Sequence, residues 1–340
     1  MNALTTIARR LPSAAFKRFA IAGACAWALA AGAGFAQAQG AYPQKPIRII
    51  VPFGAGSGVD VTARALAAQL SIQMGTSVFV ENREGASGGL GTLAVQQAHA
   101  DGYSLLFAAH PPFVTSPLMQ KTPMYDPVKG FTPVAKVGAI HMALIGSTKA
   151  PFKSFDQFVD YATKNPGKVS YGHPGQSTLA YLDVERIRLA RRLSLLEVPY
   201  KATGQVMTDT IAGVVEIGLP SVPGALPFIQ GGQINVLAIG SPKRLPQLPD
   251  VPTLAEALQQ PGFESAVWYG LLAPAGLPTE IRDRLYKEVS SAMGVRKVQE
   301  VLEKSIVSPA LKDGEAFASE IRRDAEDSRR LIQQLGIQPQ

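Results

Sequence analysis

Three glycines interrupt the run Pro52-Phe53-Gly54-Ala55-Gly56-Ser57-Gly58-Val59-Asp60, between an apolar stretch and the start of a helical pattern. A glycine-rich turn lets backbone approach a ligand closely, and the free N–H groups of a helix start attract anions. Phe53, Gly54, Ala55, Gly56 and Ser57 therefore read as a backbone clamp for a carboxylate or other small anion. A dinucleotide fingerprint would need glycine at 59, where Val59 stands, although Glu81 closes the next strand where a ribose-binding acid would lie. A nucleotide-dependent oxidoreductase is thus a third-ranked reading. Asp60 stands three residues after Ser57 in an S-x-x-D capping pattern. It either folds back onto the helix start or accepts from a ligand amine, hydroxyl or water.

Gly85-Ala86-Ser87-Gly88-Gly89 matches the G-x-S-x-G pattern of a hydrolase nucleophile elbow. In such an elbow the serine follows the strand directly, whereas Asn82-Arg83-Glu84 intervene here. A triad also needs a histidine, and the chain has four: His99, His110, His141 and His173. His99 falls in a helical pattern and His141 in an apolar strand. His110 and His173 each close a predicted strand, before Pro111-Pro112 and Pro174-Gly175, where they could donate to a carboxylate and titrate near neutrality. Their equivalent positions suggest a facing pair. Gly175, Gln176, Ser177 and Thr178 then open a helix and supply N–H and hydroxyl donors, whereas Trp268 and Tyr269 read as packing. Two classes of function follow: a carboxylate-binding protein, or an exported serine hydrolase using Ser87 with His110 or His173 as base.

These residues need turns held at the ends of strands, and the pattern supplies them. Ile47–Phe53, Val78–Val80 and Leu105–Ala109 read as buried strands. Val59–Leu70 and Leu90–Ala98 read as helices between them. The strand-helix alternation resumes after residue 150, through Val169–Gly172, Thr178–Arg192, Leu195–Val198 and Ile234–Ile239, and helices close the chain at Thr279–Met293 and Gly314–Leu335. Alternation of this kind predicts an α/β fold of mainly parallel sheets flanked by helices, with ligand sites at the strands' carboxyl ends. The apolar stretches Val134–Ile145 and Ala266–Pro274 read as crossings between domains. They predict domain 1 from 42–140 plus 266–340, domain 2 from 141–265, and a cleft at the hinge.

Composition narrows the class further. The chain has 340 residues, 46% hydrophobic and 17% charged, and a single cysteine, Cys25, which excludes a disulfide framework. No His/Cys cluster suggests a metal site, and no cofactor is expected. Arg9, Arg10, Lys17 and Arg18 precede an apolar run from Phe19 to Phe35 that ends in Ala36-Gln37-Ala38, the pattern of a signal peptide cleaved after Ala38. Losing those four basic residues lowers the formal net charge from +7 to +3, so nucleic acid is not an implied partner. A soluble, exported monomer is expected.

The segments KPIRIIVPFGAGSGVDVTAR, VFVENREGASGGLGTLAVQQAHADGYSLL, MYDPVKGFTPVAKVG, VPYKATG, LPDVPTLAEA and WYGLLAPAGLP resemble the Bug family of periplasmic solute-binding proteins. These proteins are related to the receptors of tripartite tricarboxylate transporters, and the likeness runs in order over essentially the whole mature chain. It implies a hinged, type II-like two-domain fold that closes on a small organic acid without catalysis, with a membrane transporter as a possible partner. It also implies clamps at Phe53–Ser57 with Asp60, at Ala86-Ser87, and at His173-Pro174-Gly175 through Thr178. Several positions depart from the family pattern. Ser57 replaces a common glycine, Ser116-Pro117 an Asn-Pro pair, and Ser177, Leu179 and Tyr181 a glycine, a serine and a histidine. His110 and His173 replace small residues, and Pro220 lies where an acid is common.

Overall fold

The first sheet is seeded by β1 (Ile47–Val51), in which Ile47, Ile49, Ile50 and Val51 have no solvent exposure. A strand covered on both faces needs such an unbroken apolar run, and it pairs in parallel with β2 (Val78–Asn82) and β3 (Ser104–Ala109). The computed structural model describes residues 42–339, so the expected signal peptide over 1–38 lies outside the described residues. From Lys45 onward the chain packs as one compact unit holding two sheets.

Helix α1 (Gly58–Met74) joins β1 to β2, capped by Ser57 at its start and by left-handed Gly75 at its end. A short 3-10 turn at Ala86–Gly88 and helix α2 (Gly89–Gln96) lead to β3. After β3 come the one-turn helix α3 (Thr115–Leu118) and the long strand β4 (Phe131–His141). The second sheet begins with β5 (Ala143–Ser147), then α4 (Phe155–Lys164), β6 (Val169–His173), α5 (Leu179–Arg191) and β7 (Leu195–Pro199). It continues through α6 (Thr203–Ala212), β8 (Ile217–Gly218), α7 (Val222–Gln230), β9 (Ile234–Ile239) and α8 (Leu254–Leu258). β10 (Ala266–Pro274) returns to the first sheet, followed by α9 (Thr279–Met293), α10 (Arg296–Lys304), β11 (Ser308–Asp313) and α11 (Gly314–Gln334).

The α/β fold read from the sequence is present, as two mixed sheets flanked by helices. Their strand orders are β11-β4-β10-β3-β1-β2 and β7-β6-β8-β5-β9. The parallel expectation holds for β2-β1-β3 and for β7-β6-β8. The strand that arrives from a crossing runs against its neighbours in each sheet: β10 between β3 and β4, and β5 between β8 and β9. Both are buried on two faces, so their residue patterns carry no mark of direction.

The two crossings meet at one point. Met142 N–H donates to Ser265 O, Ser265 N–H to Gly240 O, and Gly240 N–H to Met142 O, at 2.8 to 2.9 Å. The Ser265 hydroxyl also bonds the buried Asp183 carboxylate of α5. A third link ties the sheets through α11. Its Phe317 ring sits over Gly270 and meets Trp268 edge-on at 4.9 Å in the first-sheet core. Its far end places Leu331, with Leu335 and Ile337 beyond it, against the second-sheet core. That end was read from the sequence as part of domain 1.

A Cβ on Gly240 would collide with the carbonyl oxygen of Ser265. Gly240→Ala should therefore lower stability by about 1–3 kcal/mol, as overpacking does. Gly204→Ala, in open space on α6, should be neutral or stabilising by up to about 1 kcal/mol. Urea midpoints of the two variants provide the check.

Candidate functional site

The turn after β1 is built around Asp60, only 2% exposed. Its Oδ2 accepts from Gly56 N–H at 2.9 Å and from Arg64 Nε at 3.0 Å, and its Oδ1 accepts from Asn82 Nδ2 at 2.8 Å. Asn82 also donates to Phe53 O at 3.0 Å. Gly56 reaches Asp60 because its φ is +81°, a region glycine enters freely. Burial pushes the Asp60 carboxyl up, but the bonds from Arg64, Gly56 and Asn82 outweigh it and hold the group below its ordinary value. Of the two roles open in the sequence, folding back onto the turn is the one with partners. The carboxylate is occupied from within and shapes Phe53–Ser57 from behind. The Tyr269 hydroxyl abuts the helix start at Gly58, a placement that packing logic alone had not assigned to it.

The turn after β2 puts Ala86 (φ +49°) and Ser87 (φ +54°) in the left-handed region in succession. Non-glycine residues there carry strain of roughly 1–2 kcal/mol each, and such strain clusters at functional sites. Both residues are exposed.

In the second sheet, His173 closes β6 with its ring buried to 1% exposure. Gly175 N–H donates to His173 Nδ1 at 3.1 Å, which leaves Nε2 to donate to Glu197 Oε1 at 2.9 Å. The Thr178 hydroxyl donates to Gly175 O at 2.6 Å and caps α5 through Tyr181 N–H. His173 and Thr178 therefore hold Pro174, Gly175, Gln176 and Ser177 in place by engagement behind the turn. Gln176 and Ser177 are left exposed.

His110 sits elsewhere. Its ring is buried, 5.8 Å from Trp268, with Nε2 at 3.5 Å from Thr115 Oγ1 and Nδ1 without a partner among the described residues. Burial pushes it down to about 4, with Asp183 and Glu320 opposing the shift. It stays neutral from pH 5 to 8. The expected facing pair of His110 and His173 does not form, because each ring is spent in a separate buried environment.

Two adjoining cavities bring the turns together. One of about 340 Å³ is lined by Ser87, Ser116, Gln120, Gln176, Ser177 and Gln338, among others. A second of about 700 Å³ shares Gln176, Ile337 and Gln338 and adds Lys121, Tyr181 and Glu197. The first thus joins Ser87 of one sheet to Gln176 and Ser177 of the other, and its polar lining is hydroxyl and amide. Phe53 touches Ser87 only across a crevice too narrow to admit water. The sequence reading missed Met119–Lys121, Glu197 and the 335–339 segment. Only Ser116-Pro117 had carried a signal, as a departure from a family pattern. A larger cavity of about 760 Å³ contains His110 and lies away from the glycine turns. Most of its charges are matched, Lys136 and Lys312 to Glu320, Arg186 to Asp183 and Arg330 to Asp327, while Arg323 makes no ion pair among the described residues. No histidine lines the cavities that Ser87 borders, so no base stands ready to activate it as a hydrolase would require.

Comparisons with known proteins bear on the family and the fold. The pattern of the tripartite tricarboxylate transporter family receptor matches residues 62–337. Protein BugT of Bordetella pertussis is 33% identical over 272 residues, covering 79% of this chain and 83% of the relative. The solved periplasmic binding protein BugD is 31% identical with a TM-score of 0.67, over 88% of this chain and all of the other. An R. palustris protein solved with adipate is 29% identical with a TM-score of 0.70, over the same shares.

Two outcomes are expected from the buried groups. Asp60→Asn should cost about 1–3 kcal/mol at neutral pH by leaving buried donors without their charged acceptor. Because the folded carboxyl lies below its unfolded value, the deficit should shrink as pH falls through the carboxylate range. His110 takes a proton near pH 4 when folded and near 6.5 when unfolded. Its share of stability is therefore lost as pH falls from about 6.5 to 4, and His110→Gln should flatten that part of the pH–stability curve. Denaturation midpoints measured from pH 4 to 8 provide the check.

Proposed function

This chain belongs to the tripartite tricarboxylate transporter receptor family, solute-binding proteins and not enzymes, and on that premise we propose that it captures a small carboxylate between its two sheets. The observation that carries the proposal is the shared cavity wall of Ser87 with Gln176 and Ser177. Backbone N–H groups of Phe53–Ala55 and Ala86-Ser87 serve as one clamp, and those of Gln176 and Ser177 as the other, within the turns Phe53–Ser57 and His173–Thr178. Asp60, His173 and the Thr178 hydroxyl position these turns. Neutral donors can hold a carboxylate without a full counter-charge, each such hydrogen bond to the charged group contributing about 1.5–3 kcal/mol.

The R. palustris protein's adipate supports the ligand class. The two lobes in this reading are 42–140 plus 266–340, and 141–265, closing about the Met142–Gly240–Ser265 junction. α11 reaches across from the first to the second. Export to the periplasm, action as a monomer and delivery to a tripartite transporter complete the proposal. Among the described residues no helix is long and apolar enough to cross a membrane.

The test is a thermal-shift screen of residues 39–340, stripped of bound ligand by unfolding and refolding, against mono- and dicarboxylates and neutral controls. A ligand at a hundred times its dissociation constant adds about 2.7 kcal/mol, a shift of several degrees. Ser87→Ala should weaken the best acid by about tenfold and leave it chemically unchanged. Stabilisation by no acid, or turnover of an ester that Ser87→Ala abolishes, overturns the proposal.

A further inference from the structure

Glu197 puts a negative charge on the wall of a cleft that takes an anion. Its carboxylate keeps 39% exposure and borders the 700 Å³ cavity. His173 Nε2 fixes it at 2.9 Å, with the Gln176 amide at 3.5 Å. His173 is itself oriented by Gly175 N–H, so one histidine holds both the carboxylate and the turn that faces Ser87. Among the described residues no lysine or arginine makes an ion pair with Glu197. The neighbouring Tyr171 and Tyr181 are buried, and the field of Glu197 adds to the forces that keep their hydroxyls protonated. The carboxylate is thus held in place by His173 and Gln176 and, among the described residues, pairs with no lysine or arginine.

A second carboxylate brought to this place would meet like charge at a partly desolvated site, where repulsion is stronger than in water. A cation would be attracted there. Ser87 and Ser177 stand on the adjoining 340 Å³ cavity, with Gln176 on the boundary. An acid group and a cation on one ligand would therefore lie in the two adjoining cavities. Resting on the receptor reading above, we propose that the ligand is an amino carboxylate: its acid end lies among the hydroxyls and amides, and its ammonium end donates to Glu197. Lys121 borders the same cavity as Glu197 and would attract a further acidic group on the ligand, away from the Glu197 carboxylate. Glu197 selects between acids of equal length, and His173 is its positioning residue.

The test is isothermal titration of the exported protein, stripped of bound ligand, with pairs matched in length: 6-aminohexanoate against adipate, and 4-aminobutyrate against succinate. The better amino acid should bind at least tenfold more tightly than its diacid partner. Glu197→Gln should remove or invert that ratio, while Ser87→Ala weakens both members and preserves it. Unchanged thermal midpoints show that the variants fold. Should Glu197→Gln disturb the His173 turn, Glu197→Asp retains the charge and should retain the preference. Diacids that bind as tightly as amino acids, at a ratio unmoved by Glu197→Gln, overturn this inference and leave the receptor reading standing. Binding by neither class overturns both.

Discussion

Three hydrogen bonds among Met142, Gly240 and Ser265 fix where the two sheets are joined, and everything that faces the cleft is placed relative to that junction. The chain leaves the first sheet at His141 and re-enters at Ala266 within this small ring. The turns after β1, β2 and β6 are held by their own local bonds. The turns after β2 and β6 meet across one cavity because the junction sets the angle and distance between the sheets that carry them. A glycine at 240 is the local condition for the ring, since any side chain there runs into the Ser265 carbonyl.

The turns after β1 and β6 follow one design. In each, a polar side chain that looks chemically active in the sequence is used behind the loop. Asp60 gathers Gly56, Asn82 and Arg64, and His173 links Gly175 to Glu197. What remains exposed to solvent is the set of plainer groups: Ser87, Gln176 and Ser177. Preorganised neutral donors backed by buried charge can bind an anion without the desolvation cost of a cationic wall.

Much of this was legible in the residues. The apolar run at 47–51, the Ser57 cap and the glycine turns follow from local rules, so the α/β fold and the three loops could be read without coordinates. Strand direction could not, because β5 and β10 are buried on both faces and their residues are equally suited to either orientation. The roles of His110 and His173 were also beyond local reading. Titration depends on burial, and only the packed chain shows that His110 lies against Trp268 rather than opposite His173. Glu197 was hidden differently, as one polar residue in an edge strand. Its meaning comes from a histidine 24 residues earlier in the chain.

The last helix carries a mechanical consequence. α11 has 21 residues, about 31 Å of rod. It is seated by Phe317 in one core and by Leu331 in the other, and it continues into Ile337 and Gln338 on the cleft wall. It is a strut set beside a two-strand joint. Any relative motion of the sheets would have to pivot near its axis or shear its far end. The segment that follows it also forms part of the cavity wall, so a strut and a wall are made by one stretch of chain.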